Sequence, residues 1–296
     1  MPNTLAHLGA QGFSSRALKW AQPHWIATGC LIPDLPWILQ RLAARMPGID
    51  LLDLRLYCVV QASLFFCLLL SAALAMFDRN SIAAFIIIGL NCCAHLLLDA
   101  CQTKWANGVH LFAPFSWQMI NFGFFWPEHA VTYLLTAAGI AYAIFLWRKA
   151  QLAAELAMPH GHKRLVATGL LVAYVALPAA FMHTAERADN HFVRTLRERE
   201  HRTGRRIEFD RCSYENGTLS PFTGEILASA GLALPTAATV SIKGVFLASD
   251  SIRVEAYHVH NIAFRDGASY IGIILVGIIG IAAWRRRFSP IIGKFS

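Results

Sequence analysis

The sequence predicts a mainly α-helical, polytopic membrane bundle of five to six membrane segments that carries a small β-rich insertion. Three observations predict it. Hydrophobic residues make up 56% of the 296-residue chain and charged residues 15%, whereas soluble domains run at roughly 45–50% apolar and about 25% charged. Mean hydropathy is +0.45. The charge is unevenly placed: residues 185–267 hold 11 basic and 11 acidic side chains, so the formal net charge of +8 resides in the apolar remainder. There the basic residues flank apolar runs, as membrane topology requires. They do not interleave with aromatics along a groove, so no nucleic-acid partner is expected.

A spanning helix needs about 20 apolar residues. Leu56–Phe77, Ser81–Cys101, Ala130–Trp147, Leu165–Met182 and Ala268–Trp284 meet or approach that length. A sixth run, Ile26–Leu39, is broken by Pro33, Asp34 and Pro36 and predicts a short or re-entrant helix pair. Arg79, Arg148, Lys149, Lys163, Arg164 and Arg285–Arg287 fit one cytoplasmic side. Residues 185–267 then lie outside the cytoplasm, with the Lys104–Glu128 loop. Arg16, Lys19, Arg41, Arg45 and Arg55 count against placing the N-terminal segment there too. No cleavable signal segment is evident, because the first 20 residues lack a continuous apolar stretch.

The expected organisation is a helical membrane core over 1–184, an extracytoplasmic insertion over 185–267, and a final span with a basic tail over 268–296. The insertion opens with a charged stretch, Ala185–His201, that predicts helix. Short strand-like runs follow at Arg206–Tyr214, Gly224–Ala230, Thr239–Leu247 and Ile252–Val259, the last two forming a hairpin around Ala248–Ser251. Their number suits a small barrel or sandwich, OB-like in strand count. Six of seven cysteines lie in or beside apolar runs, where they act as small hydrophobes, and no paired CxxC occurs.

Seven acids lie outside the insertion: Asp34, Asp50, Asp53, Asp78, Asp99, Glu128 and Glu155. An acid in an apolar stretch is costly and marks function by default. Asp34 and Asp99 meet that description. On a helix, His95 and Asp99 are one turn apart on one face, and an imidazole with a carboxylate is a ligand pair for zinc or a similar divalent metal. The same spacing also suits a hydrogen-bonded pair that only joins helices. Asn3, His7 and Gln11 share a face if residues 3–12 are helical. Asp34 reads either as a cap before Pro36 or as a ligand presented rigidly. Glu128 and His129 begin the next apolar run, as ligands, as a general base, or as acids favoured by a helix N-terminus. His258 and His260 share one strand face without an evident third ligand, and His160 and His162 sit beside Lys163.

Taken together, His7 with Gly9, Gly29 through Pro33-Asp34, His95-x-x-x-Asp99 and the loop Gly108-Val109-His110-Leu111-Phe112-Ala113-Pro114-Phe115-Ser116 resemble the bacterial membrane-bound metal-dependent hydrolases, including their LexA-regulated inner-membrane members. These are similar, distantly, to helical zinc-dependent phospholipase C proteins. The resemblance covers roughly residues 1–130. It implies a bacterial inner-membrane, multi-pass protein and a divalent metal, zinc by ligand type. The implied ligands are His7, Asp34, His95 and Asp99, with His110 added from the loop. With a metal in place, the expected chemistry is hydrolysis by activated water, with Glu128, or whichever of Asp34 and Asp99 is not engaged by metal, as the catalytic base. A site near the bilayer surface favours a phosphoester or lipid-linked substrate. One departure stands out. Leu54–Phe66, where the family carries an HRG-x-x-H-like stretch, has no histidine, and Gln61-Ala62-Ser63 stands near its place. His24, His110 or Glu128 are the residues available to replace it. The competing expectation is a non-catalytic membrane protein that displays residues 185–267 to a partner or to the envelope.

Overall fold

The computed structural model describes residues 3–15, 18, 22–149 and 156–285. Arg16, Lys19, Glu155, Arg286 and Arg287 therefore lie outside the described residues. Helix α1 (Thr4–Ser15) starts where the Asn3 side chain accepts the Ala6 backbone N–H at 2.9 Å. The apolar run interrupted by prolines becomes α2 (Pro23–Leu31), one 3₁₀ turn over Ile32–Asp34, and α3 (Leu35–Ala43), as the sequence predicts. Pro23 and Pro36 each sit in the first turn of a helix, where a missing N–H costs nothing.

The expected Leu56–Phe77 span is instead two helices, α4 (Leu51–Gln61) and α5 (Leu64–Ala75), bent by 67°. The break is stabilised locally. The His110 carbonyl accepts the Leu64 N–H at 3.2 Å, and the Gln61 amide donates to the Tyr174 carbonyl at 3.2 Å. Then come α6 (Ser81–Cys101), α7 (Ala130–Lys149) and the 27-residue α8 (His162–Ala188). After the insertion, α10 (Ile262–Arg285) completes the bundle. Among the described residues, three helices are long and apolar enough to cross a membrane: α6, α8 and the Ala263–Ala282 stretch of α10. The bent α4–α5 pair makes four if it is one crossing, and the apolar stretch Ala130–Leu146 of α7 is shorter. That is fewer than the expected five to six segments.

Charged stretch Ala185–His201 is not one helix. α8 ends at Asp189, whose backbone is left-handed (φ 48°) and whose carboxylate accepts the backbone N–H of Arg194 and the hydroxyl of Thr195. That local capping restarts the chain as α9 (Val193–Arg197). The insertion itself is a closed five-stranded barrel in the order β1-β2-β3-β5-β4. The strands are β1 (Arg206–Glu215), β2 (Thr218–Ser220), β3 (Leu227–Ala230), β4 (Ala238–Ala248) and β5 (Ser251–His260). All pairs are antiparallel except β3 with β5. Closure leaves no free sheet edge, and Ile207, Leu219, Leu227, Val240, Ile242, Phe246 and Ile252 fill its core. A register shift between Phe209 and Cys212 displaces Asp210 and Arg211 from the β1–β4 ladder.

Polar contacts hold the barrel against the bundle. Arg197 bridges Asp53 at 2.6 Å and Glu186 at 2.7 Å, and Glu208 accepts the Ala106 N–H at 2.8 Å. Inside the bundle, glycines set the helix spacing. A Cβ on Gly139 of α7 would lie 2.0 Å from the Leu5 carbonyl of α1, and one on Gly272 of α10 would lie 2.7 Å from the Leu5 nitrogen. α1 is thus gripped at backbone distance by α7 and α10.

Candidate metal centre

Two helices and the turn before α3 bring polar side chains to one buried point. α1 supplies His7, α6 supplies His95 and Asp99, and the 3₁₀ turn supplies Asp34. Both imidazoles are fully buried, and Asp34 and Asp99 nearly so. Gly29 makes this convergence possible, since a Cβ there would meet Ile88 O at 2.7 Å and Asn91 Cβ at 2.5 Å. The close α2–α6 approach lets the Cys30 carbonyl accept from His95 Nδ1 at 2.8 Å. That bond fixes the His95 tautomer and leaves Nε2 with its lone pair, the second-shell arrangement of a metal-ligating histidine.

The distances separate two readings left open by the i, i+4 spacing. Charge-assisted N–H···O bonds are about 2.7–2.9 Å. Here His95 Nε2 is 3.9 Å from Asp99 Oδ2 and 3.5 Å from Asp34 Oδ1, and His7 Nε2 is 3.4 Å from Asp99 Oδ1. His7 Nε2, His95 Nε2, Asp34 Oδ1 and Asp99 Oδ1 are all buried without a hydrogen-bond partner. Leaving such atoms bare costs roughly 1–3 kcal/mol each, a cost that a shared cation would remove. Bonds of about 2.0–2.2 Å to a tetrahedral ion put ligand atoms about 3.4 Å apart. The His7 and His95 rings stack in parallel, with centroids 3.6 Å apart and planes 3° from each other. Ligand atoms of His7, His95 and Asp99 all lie within 4.8 Å of one another, so this group could hold a metal ion. The residues present fit one.

Two neighbours complete the surroundings. Asn91, a turn before His95, is occupied elsewhere: it donates to the Ile87 carbonyl at 2.8 Å and accepts from Ser15 at 3.2 Å. Lys104, only 3% exposed, puts its ammonium 3.2 Å from Asp99 Oδ2. The sequence reading missed it, although a lysine five residues after a buried aspartate at a helix end is a readable signal. Asp99 and Lys104 line a water-sized cavity of about 20 Å³. It shares Trp37, Asn107 and His191 with a cleft of about 430 Å³ between bundle and barrel.

The other expected site residues are not members of this cluster, although His110 lines the same small cavity as Asp99 and Lys104. His110 pairs with His191, Nε2 to Nε2 at 2.9 Å, and His191 Nδ1 donates to the Ala106 carbonyl at 3.0 Å. Burial pushes the His110 pKa down to about 4. Burial, with the charge of His110, holds His191 well below the ordinary histidine value. Glu128 belongs to a second group at the seam. Its carboxylate meets His260 Nδ1 at 2.8 Å and His258 Nε2 at 3.3 Å, while His260 Nε2 bonds Ser241 at 2.8 Å. Trp126 stacks on His258 at 3.8 Å. Burial raises the Glu128 pKa, but the hydrogen bond and charge of His260 outweigh it and hold the carboxyl below its ordinary range. His258 and His260, which share one strand face, thus find in Glu128, just before α7, the third group that the sequence did not make evident. This group too could hold a metal ion. No protein-family model, curated protein or solved structure matches the chain.

Proposed function

We propose that the protein is a membrane-embedded, metal-dependent hydrolase of the family its motifs resemble, acting on a phosphoester of a lipid or lipid-linked substrate. The observation that carries this reading is the set of buried, partnerless ligand atoms that converge from separate elements. Three protein ligands with an open position is the pattern of catalytic rather than structural zinc. His7, His95 and Asp99 are the ligands. A divalent ion held there supplies Lewis-acid chemistry, acidifying water and polarising an ester oxygen.

The remaining roles fall to the chain's own residues. Asp34, bare at Oδ1 and 3.5 Å from His95, is the carboxylate left to accept a proton. Lys104 places a fixed positive charge at the wall of the small cavity, where a phosphoryl group would develop negative charge. Glu128, expected as a base, is engaged by His258 and His260 and acts instead in docking the barrel.

The proposed setting is the bacterial inner membrane with the barrel outside the cytoplasm. Lys163 at the start of α8 donates to Ser81 Oγ at 2.8 Å, so Arg79, Lys163 and Arg164 gather at one end of the bundle. The barrel joins α8 at its other end, about 40 Å away at 1.5 Å per residue. Positive charge at the end remote from the barrel supports this orientation. Asp99 near the C-terminus of α6 then lies toward the barrel side.

Metal analysis of the purified full chain tests the reading. About one divalent ion per chain is expected. D99N should lose that ion together with all phosphodiesterase activity on membrane lipid extracts. Wild-type protein that takes up no zinc, manganese or cobalt would sink it.

A further inference from the structure

The 430 Å³ cleft between bundle and barrel has a chemistry of its own. One wall is α3 and α4, with Trp37, Arg41 and Arg55; the other is the barrel, with Asp210, Arg211 and Phe222. Its acids are already matched. Asp210 pairs with Arg211 at 2.5 Å, Asp266 with Arg265 at 3.4 Å, and Glu208 with Lys243 at 2.9 Å. Arg41 and Arg55 have no carboxylate within salt-bridge reach among the described residues, so the cleft keeps an excess of positive charge.

Arg55 is held as an anion receptor. Its guanidinium lies 4.7 Å from the Trp37 ring centroid and 5.3 Å from that of Phe222. Aromatic contact covers the face of a guanidinium and leaves the in-plane N–H groups for a ligand. Its Nε is buried with no hydrogen-bond partner. A planar fork of donors in a partly desolvated cleft matches the oxygens of a phosphate.

The rim indicates where the phosphate comes from. Trp37, Gln40, Arg41 and Ala44 turn one face of α3 to the cleft. Leu39 and Leu42 lie on the opposite face, 50% and 59% exposed. In the loop that supplies Asn107 to the cleft, Phe112 and Phe115 are 58% and 90% exposed. Exposed apolar and aromatic side chains beside basic ones are the composition of a segment seated at the membrane interface.

We propose that this cleft binds the phosphate of a membrane-lipid headgroup, gripped by Arg55 and Arg41, and that the barrel is its second wall. The inference rests on the hydrolase reading for its purpose, since the small cavity at Asp99 and Lys104 adjoins the cleft. Its test does not depend on turnover.

The full chain, purified in detergent and stripped of metal with a chelator, would be titrated with dihexanoyl phosphatidic acid. Tryptophan fluorescence reports binding, because Trp37 lines the cleft. Saturable binding is expected, weakened about tenfold by R55Q, less by R55K, and about twofold to threefold by the exposed-site variant R41Q. K163Q, at the end of the bundle remote from the barrel, should bind the lipid like wild type. Equal affinity in R55Q, R41Q and wild type would overturn the proposal. Inorganic phosphate binding as tightly as the lipid would overturn the lipid assignment in favour of a soluble phosphate ester. Arginine-dependent lipid binding by a chain that takes up no metal would leave the cleft standing and remove the hydrolase reading alone.

Discussion

His7, His95 and Asp99 sit inside the bundle with their facing ligand atoms bare, whereas Glu128, His258 and His260 sit at the seam with theirs engaged. Residue types are nearly the same in the two groups. In the first, the closest contacts are 3.4–3.9 Å and Nε2 of each histidine lacks a hydrogen bond. In the second, His260 bonds both Glu128 and Ser241 at 2.8 Å. A satisfied network stabilises what it joins, and an unsatisfied one calls for a ligand. Residue types do not separate the two groups; hydrogen-bond geometry does, with bare ligand atoms in one and a joined network in the other.

The largest effect expected from this contrast is in metal affinity. H95A should weaken zinc binding by at least about 100-fold, and H260A should leave it within about threefold, as read by competition with a chromophoric chelator. Comparable losses in both variants would break the distinction.

A smaller effect concerns acid. His110 and His191 are kept neutral by burial, with His110 down to about 4. A histidine whose folded value is depressed takes up its proton more readily unfolded. Its stabilising contribution is therefore complete above about pH 6.5 and falls as pH drops toward 4. Between pH 7 and 5 that costs about 2 kcal/mol for His110. Hydrogen-exchange protection factors, corrected for the intrinsic pH dependence of exchange, should fall at 106–110 and 189–193 over this range before those in α6 do. Unchanged seam protection at pH 5 would show that the pair is not held neutral.

The smallest effect expected is from E128Q, which keeps the shape of the clasp and removes its charge. A loss of about 1 kcal/mol is expected from weakening the two histidine bonds, measured as a lowered midpoint in urea. Because the Glu128 carboxyl is held below its ordinary range, its contribution is present at neutral pH and lost as pH falls. E128Q should therefore also flatten the acid limb of the stability profile. A midpoint equal to that of wild type would remove Glu128 from the docking contact.

Local pattern carried much of this architecture. The His95/Asp99 spacing, the Asn3/His7/Gln11 face and the proline-broken run at Ile26–Leu39 all state local geometry, and the helices follow them. Likewise the β4–β5 hairpin turns where alternation of apolar residues stops. What escaped was settled by partners far along the chain. His110 bonds a residue 81 positions away, and Glu128 bonds one 132 positions away. The Leu56–Phe77 break depends on the His110 carbonyl of the 102–129 loop accepting the Leu64 N–H, so apolar content alone read it as one span. Three-residue β2 is too short to show a period, and α8 stops at Asp189 through a side-chain cap inside an otherwise helical composition.

The glycine contacts around Leu5 have a consequence for biosynthesis. His7 comes from α1, and that helix is gripped by Gly139 of α7 and Gly272 of α10, both far along the sequence. During translation its docking site stays incomplete until α10 has left the ribosome. The cluster therefore closes only after α10 is made, by bringing together helices more than 250 positions apart. A prematurely terminated product would retain His95 and Asp99 but lack the α10 surface that seats His7. In this fold the contact between α1 and α10 is the condition for bringing His7 to His95 and Asp99.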